Sequence, residues 1–289
     1  AMVDGTPVNV TQCPWDSITL TCYSEGERST AVVALPSKYK KQPFQPDLVL
    51  VRSAVRASAP IDHRNILLGF AFAGVPCVNT AESLYRCQEK PLVYAALRAV
   101  RDRLGKDRFP LIDPSWRSMT FPGDLPVIAK VSTVHAGLDK MKIDTAQQYL
   151  DLRSVVAMST HYLTTEPCID WDYDFRIQKI GPHVCGFRRT SDNWKGQGMG
   201  SRDADHPVSD LQRLWLDEVS AELGMDILTI DGVHDKKTGK DYIVEVNDSA
   251  IGLNERHRDE DFGYMVDLAM SKLEYYEQLK QKKKQPASA

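Results

Sequence analysis

The chain has 289 residues, 42% of them hydrophobic and 26% charged, with a formal net charge of -3. That is chain enough for one large domain or two to three small ones, each with a proper core. It excludes a globally basic nucleic-acid binder, and with no apolar run of about 18 residues it also excludes a membrane-spanning helix.

Residues 1–46 carry little pattern beyond a strand-like stretch at 31–35. Gln45-Pro46-Asp47 opens a clear strand at 48–51, followed by a helical stretch at 65–73 and a short apolar strand at 75–78. Asn79 or Thr80 stands where a helix cap belongs, and Pro91 suits a first helical turn. Val93, Leu97, Val100 and Leu104 keep helical spacing up to Gly105. Alternating strand and helix predict a small parallel-sheet unit over residues 1–107.

From about residue 108 the pattern changes. A strand at 125–131 ends on Lys130, and Asp144 opens an amphipathic helix reaching about 158. Strands follow at 162–169, 173–180 and 184–190. Residues 192–207 are polar and contain Gly196, Gly198 and Gly200, and a loop of that length without apolar anchors reads as functional or disordered. Ser209 caps a helix closed by Gly224, strands at 226–231 and 241–247 turn about 235–239, and a last helix spans about 261–279. The lysines at 280 and 282–284 read as a solvated end. The second domain is expected over 108–289, with a smaller lid insert at about 120–170.

Six cysteines (Cys13, Cys22, Cys77, Cys87, Cys168, Cys185) form no C-x-x-C pair, and there is no signal-peptide pattern. They read as reduced core thiols of a cytoplasmic protein.

Five groups carry chemistry. Asp231 ends one strand, while Glu245 and Asn247 lie two apart on the next and so share a face, with Ile243 expected beside them and Asp231 paired near Val244. Two carboxylates and an amide suit Mg2+, which keeps several waters and takes phosphate oxygens for the rest. Lys130 and Lys140 bracket a Gly-containing loop that could fold over phosphate. Taken singly, each lysine reads as surface charge, and the polar hairpin as solvated. Glu166-Pro167-Cys168-Ile169 is a strand running into proline, which lacks an N–H and leaves neighbouring backbone groups free to read adenine. Arg176 and Arg189 lie on neighbouring strands and suit phosphate or carboxylate, or else plain cross-strand pairing with Asp172 or Asp174. Trp194-Lys195 puts an aromatic and a cation into the glycine-containing loop, as in a mobile lid.

These residues stand in ATP-grasp order, and the chain resembles the synapsins within that superfamily. The resemblance runs over about residues 45–275 and is most specific at Arg176-Ile177-Gln178-Lys179-Ile180-Gly181 and Asn193-Trp194-Lys195. It implies an α/β (α+β) ATP-grasp fold preceded by a small pre-ATP-grasp domain. It matches Lys90, Lys130 and Lys140 to phosphate-side lysines, Glu166, Pro167, Cys168 and Ile169 to the adenine hinge, Lys195 to the lid lysine, and Asp231 and Glu245 to carboxylates holding Mg2+ or Ca2+. It further implies a homodimer or higher oligomer, peripheral on vesicles, that regulates secretion. The chain departs from the family in its phosphate loop, which reads His135-Ala136-Gly137-Leu138-Asp139-Lys140 with Asp139 where a glycine is usual, and in Asn247, which occupies the slot that working ATP-grasp enzymes fill with asparagine.

Two readings follow: a regulatory ATP-binding protein, or an ATP-grasp ligase or small-molecule kinase in which Arg176 or Arg189 offsets developing charge and Arg189 and Arg256 grip an acidic co-substrate. A plain dinucleotide-binding domain is disfavoured, because no G-x-G-x-x-G follows the first strand.

Overall fold

The computed structural model describes every residue except 1, 4, 26–27, 58–60, 118–123, 133–138, 160, 192–193, 195–201 and 285–289. Met2–Val3 (β1) and Thr6–Pro7 (β2) pair as a minute hairpin. Thr19–Glu25 (β3) and Arg28–Ala34 (β4) form an antiparallel pair; Leu20 and Cys22 of β3 alternate with exposed Thr19, Thr21 and Tyr23 and pack on the core of this unit, a period too short to single the strand out among its polar neighbours. Val49–Leu50 (β5) leads through Arg64–Phe72 (α1) to Cys77–Val78 (β6), and β5 and β6 are the parallel pair of this unit. Trp15, Val33, Val51, Leu67, Phe70 and Leu84 form its core.

Thr80, not Asn79, caps Ala81–Cys87 (α2), its side chain accepting the Ser83 N–H. Asn79 has another task. It is fully buried, its Nδ2 donates to the Ile227 carbonyl at 2.7 Å, and its Oδ1 accepts the N–H groups of Asp226 (2.8 Å) and Ile227 (2.7 Å). Lys90–Leu104 (α3) has proline in its first turn and stops at Gly105, whose φ of 85° suits glycine.

Ser115–Arg117 (β7), Val127–Val131 (β8), Lys140–Ile143 (β9) and Leu163–Pro167 (β10) make a four-stranded antiparallel sheet in the order β7-β10-β8-β9. The helix Ala146–Val156 (α4) starts on Thr145 in a capping box with Gln148, one residue later than the expected Asp144. Val127, Ala129, Ile143, Tyr149 and Leu163 form a separate small core beneath it.

The largest sheet is antiparallel, in the order β13-β12-β11-β14-β15, built from Trp171–Ile180 (β11), His183–Thr190 (β12), Arg202–Asp205 (β13), Ile227–Asp235 (β14) and Asp241–Asn247 (β15). β13 lies inside the polar stretch expected to be loop. Ladder bonds to β12, rather than apolar side chains, hold it at the sheet edge. Asp210–Leu223 (α5) is capped by Ser209 and Gly224, as expected. α5 and α3 pack on this sheet: Val93, Leu97, Val100, Trp215, Leu216 and Val219 share one core with Phe175, Ile177, Ile230 and Ile243. α3 therefore packs with the second core, although it falls within the first 107 residues. Arg258–Lys284 (α6) closes the chain. Its Lys280 is engaged rather than merely solvated, bonding Asp47 at 2.9 Å and Glu277 at 2.6 Å.

One irregularity shapes the site. Asp231 pairs with Glu245 and Gly232 with Ile243, so Val244 bulges out of register. The bulge corrects two expectations: Asp231 faces Glu245 instead of Val244, and Ile243 turns with Val246 into the core, 0% and 2% exposed, away from Glu245. Gly232 is required here, because a Cβ would stand 2.2 Å from the Phe175 ring and 2.6 Å from the Tyr242 carbonyl. Gly232→Ala is expected to cost about 2–3 kcal/mol by overpacking, measured by urea unfolding. An unchanged midpoint would contradict this placement.

Candidate functional site

Lys90 is the first residue of α3, where the helix dipole favours an anion, and the first turn holds no acidic residue. A cation there works against its own helix, and the compensation is external: the Lys90 amine bonds the carboxylate of Glu245 on β15. Lys130 on β8 lies opposite Lys140 on β9. Its amine is 2.8 Å from Glu166 on β10, and both side chains are almost fully covered. Arg176 on β11 holds both oxygens of Asp231 at 2.6 and 2.7 Å, and Asn247 donates to Asp231 (3.1 Å) and to Thr229 (3.3 Å).

Glu245 is the electrostatic centre. Burial alone would raise its carboxyl, but Lys90, Lys130 and Lys140 hold it down at about 2, so it is ionised at every ordinary pH. Burial likewise pushes the Lys130 ammonium down, and Glu166, Glu245 and Asp231 more than reverse this, leaving it raised. Three lysines from α3, β8 and β9 thus converge on one carboxylate of β15. Lys140 also stands 5.5 Å over the Trp194 ring, which brings the root of the polar loop to the same place.

The donor set for a metal is small. Among the described residues no three His, Cys, Asp or Glu side chains gather to hold one. Glu245 and the amide oxygen of Asn247 remain as hard donors, while Arg176 engages both Asp231 oxygens. Such a set fits a cation that keeps waters and completes its shell with phosphate oxygens.

At the hinge, Pro167 stays in the ladder opposite Val127. The Cys168 N–H, expected to be free, donates to the Pro126 carbonyl at 3.3 Å. Glu166, singled out for its backbone, contributes its side chain to Lys130 instead. Arg189 pairs with Asp174 at 2.7 Å, the plain cross-strand arrangement, and Arg256 bonds the Asp203 carbonyl at 2.9 Å. Lys195 and residues 135–138 of the phosphate loop lie outside the described residues. Burial pushes the Cys77 and Cys87 thiols up to about 12, which makes them inert.

Four cations of the cluster are paired with carboxylates: Lys90 with Glu245, Lys130 with Glu166, Arg176 with Asp231, Arg189 with Asp174. A buried charge left without its partner is costly. A bare anion would therefore bind poorly here. A polyanion arriving with a cation can exchange partners, lysines turning to phosphate and carboxylates to metal, without stranding a charge.

A family model described as "Synapsin, ATP binding domain" matches residues 79–275, and one described as "Synapsin pre-ATP-grasp domain" matches residues 2–77. The chain is 30% identical over 242 residues to "Synapsin" of Drosophila melanogaster, covering 80% of this chain and 23% of the fly protein. Its fold is similar to that of D-alanyl-alanine synthetase A from Vibrio cholerae (TM-score 0.62, 11% identity, covering 88% and 87% of the two chains). It is also similar to that of the ATP-grasp ligase PsnB complexed with a phosphomimetic precursor variant, Mg and ADP (TM-score 0.60, 14% identity, covering 87% and 86%). No described helix is long and apolar enough to cross a membrane.

Proposed function

The chain belongs to the synapsin family, and from that premise we propose that it binds ATP with the polyphosphate among Lys90, Lys130 and Lys140. In this reading Mg2+ sits on Glu245 and Asn247, with Asp231 beside them. The observation that carries it is the ion pair between Lys90 at the start of α3 and Glu245 on β15, a carboxylate on which the charges of Lys130 and Lys140 also act. The adenine lies along Glu166, Pro167, Cys168 and Ile169, and Lys195 closes over the phosphates. The metal would supply charge neutralisation between carboxylate and phosphate oxygens. Glu245 would hold it, Asn247 would add a ligand without a further negative charge, and Arg176 would keep Asp231 oriented. Mg2+ is preferred to Ca2+ because two or three oxygen donors are few for calcium.

Within the family, the reading extends to a regulator that self-associates as a homodimer or higher oligomer and works at vesicle surfaces. This chain spans 23% of the fly relative's length, so that part rests on family membership alone.

The second reading, an ATP-grasp ligase or kinase, is favoured by one feature, the Glu245 and Asn247 pair on a single face of β15. Arg176 would then offset developing charge, and Arg189 would have to leave Asp174 to reach an acidic substrate. Incubation with labelled ATP, Mg2+ and a metabolite mixture separates the two. Steady ADP or phosphate release dependent on one metabolite establishes the enzyme, and release at background rates with ATP bound supports the regulator.

A further inference from the structure

The two best-placed phosphate-side lysines belong to different bodies. Lys90 rides on α3, whose core is that of the large sheet, and Lys130 rides on β8, whose core is the separate one under α4. Their ion pairs do not join these bodies: Glu245 lies on the same side as Lys90, and Glu166 on the same sheet as Lys130. Yet one triphosphate must meet both amines.

Glu89 precedes Lys90 and occupies the cap position of α3, but its side chain makes no cap bond. Its carboxylate is spent elsewhere. Oε1 accepts from Arg56, and from Arg64 at 3.4 Å, both in the first unit, while Oε2 accepts from the Tyr162 hydroxyl at 2.9 Å. Tyr162 stands just before β10. Its carbonyl accepts the Ser132 N–H at 3.0 Å, where the chain turns with a φ of 57° toward 133–138. Its ring stacks on Trp116 of β7 at 5.1 Å. The neighbouring Gln88 reaches Asp248 just beyond β15 at 3.2 Å and accepts the Arg56 N–H at 3.1 Å.

We propose that Glu89 and Tyr162 are positioning residues for nucleotide binding, their bond setting the distance between the Lys90 and Lys130 amines so that one triphosphate spans both. The inference rests on the polyphosphate placement argued above. It follows that the bond matters to the phosphate end of the ligand and not to the adenine end, which contacts the lid strand alone.

The test is calorimetric titration of ATP, ADP and AMP, each with Mg2+, into the intact chain and into Tyr162→Phe, which removes one oxygen and keeps the ring stack. Loss of one hydrogen bond predicts ATP weakened about tenfold, ADP less, and AMP within about twofold, with the thermal unfolding midpoint little changed. Glu89→Ala removes the acceptor side together with its pairs to Arg56 and Arg64, so it is expected to give the same graded loss with a lower unfolding midpoint, and it carries the test should Tyr162→Phe not fold. Because both variants remove the one shared bond, the double variant should lose less ATP affinity than the two single losses combined. Equal weakening of all three nucleotides would mean a merely structural role and overturn the proposal, as would unchanged ATP binding. If the unaltered chain itself binds ATP no tighter than AMP, the underlying site placement fails too. If it prefers ATP and the variants keep that preference, only the positioning role fails.

Discussion

Lys130→Ala is expected to weaken ATP binding at least about a hundredfold, since it removes a charge-assisted contact from a site closed to water. The same change leaves the Glu166 carboxylate covered and without its ammonium, which costs about 3 kcal/mol of stability. Loss of binding could then be blamed on loss of fold. The pair Lys130→Met with Glu166→Gln separates the two, because it removes both charges and keeps the volume. It should unfold near the wild-type midpoint and still bind ATP poorly. Wild-type affinity in that pair would remove Lys130 from the site.

The largest effect on stability is expected at Asn79, where the two family matches meet. Its side chain makes three hydrogen bonds to the backbone of residues 226 and 227, in a place that water does not reach. Alanine would strand two N–H groups and one carbonyl, at about 1–3 kcal/mol each. Allowing for relaxation, Asn79→Ala should cost about 3–5 kcal/mol, a large share of the roughly 5–15 kcal/mol that holds an ordinary domain together. Urea unfolding measures it, and a loss under about 1 kcal/mol would show that these bonds are replaceable.

Much of the fold could be read from local chemistry. Thr80, Ser209, Pro91, Gly105 and Gly224 mark helix ends because capping and φ preferences act over a few residues. The ATP-grasp body with its preceding unit could be read because motif order along the chain survives divergence. What depends on register was hidden. The Val244 bulge, which sends Ile243 to the core and sets Asp231 against Glu245, has no composition signal. β13 is polar and held by ladder bonds, so no apolar period announces it, and the alternation in β3 covers only Leu20 and Cys22.

The site divides along the same line. Lys130, Lys140, Asp231 and Glu245 were recognisable as residue types on or beside strands, while Lys90 entered only through the family resemblance. Their mutual pairing was not, because Lys90 with Glu245 and Lys130 with Glu166 are contacts across 155 and 36 residues. The Cys168 N–H was misjudged for a related reason. Proline frees its neighbours' partners only if no other strand supplies one, and Pro126 does. Lys90 carried a signal that could have been read: a lysine in the first turn of a helix opposes the dipole and so calls for an acidic partner from elsewhere.

The most direct measurement is a crystal structure of the chain with Mg2+ and a non-hydrolysable ATP analogue. Phosphate oxygens within hydrogen-bond distance of the Lys90 and Lys130 amines, with a metal peak on Glu245, is the expected result. A nucleotide bound elsewhere, with Lys90 still on Glu245 and Lys130 still on Glu166, would contradict it.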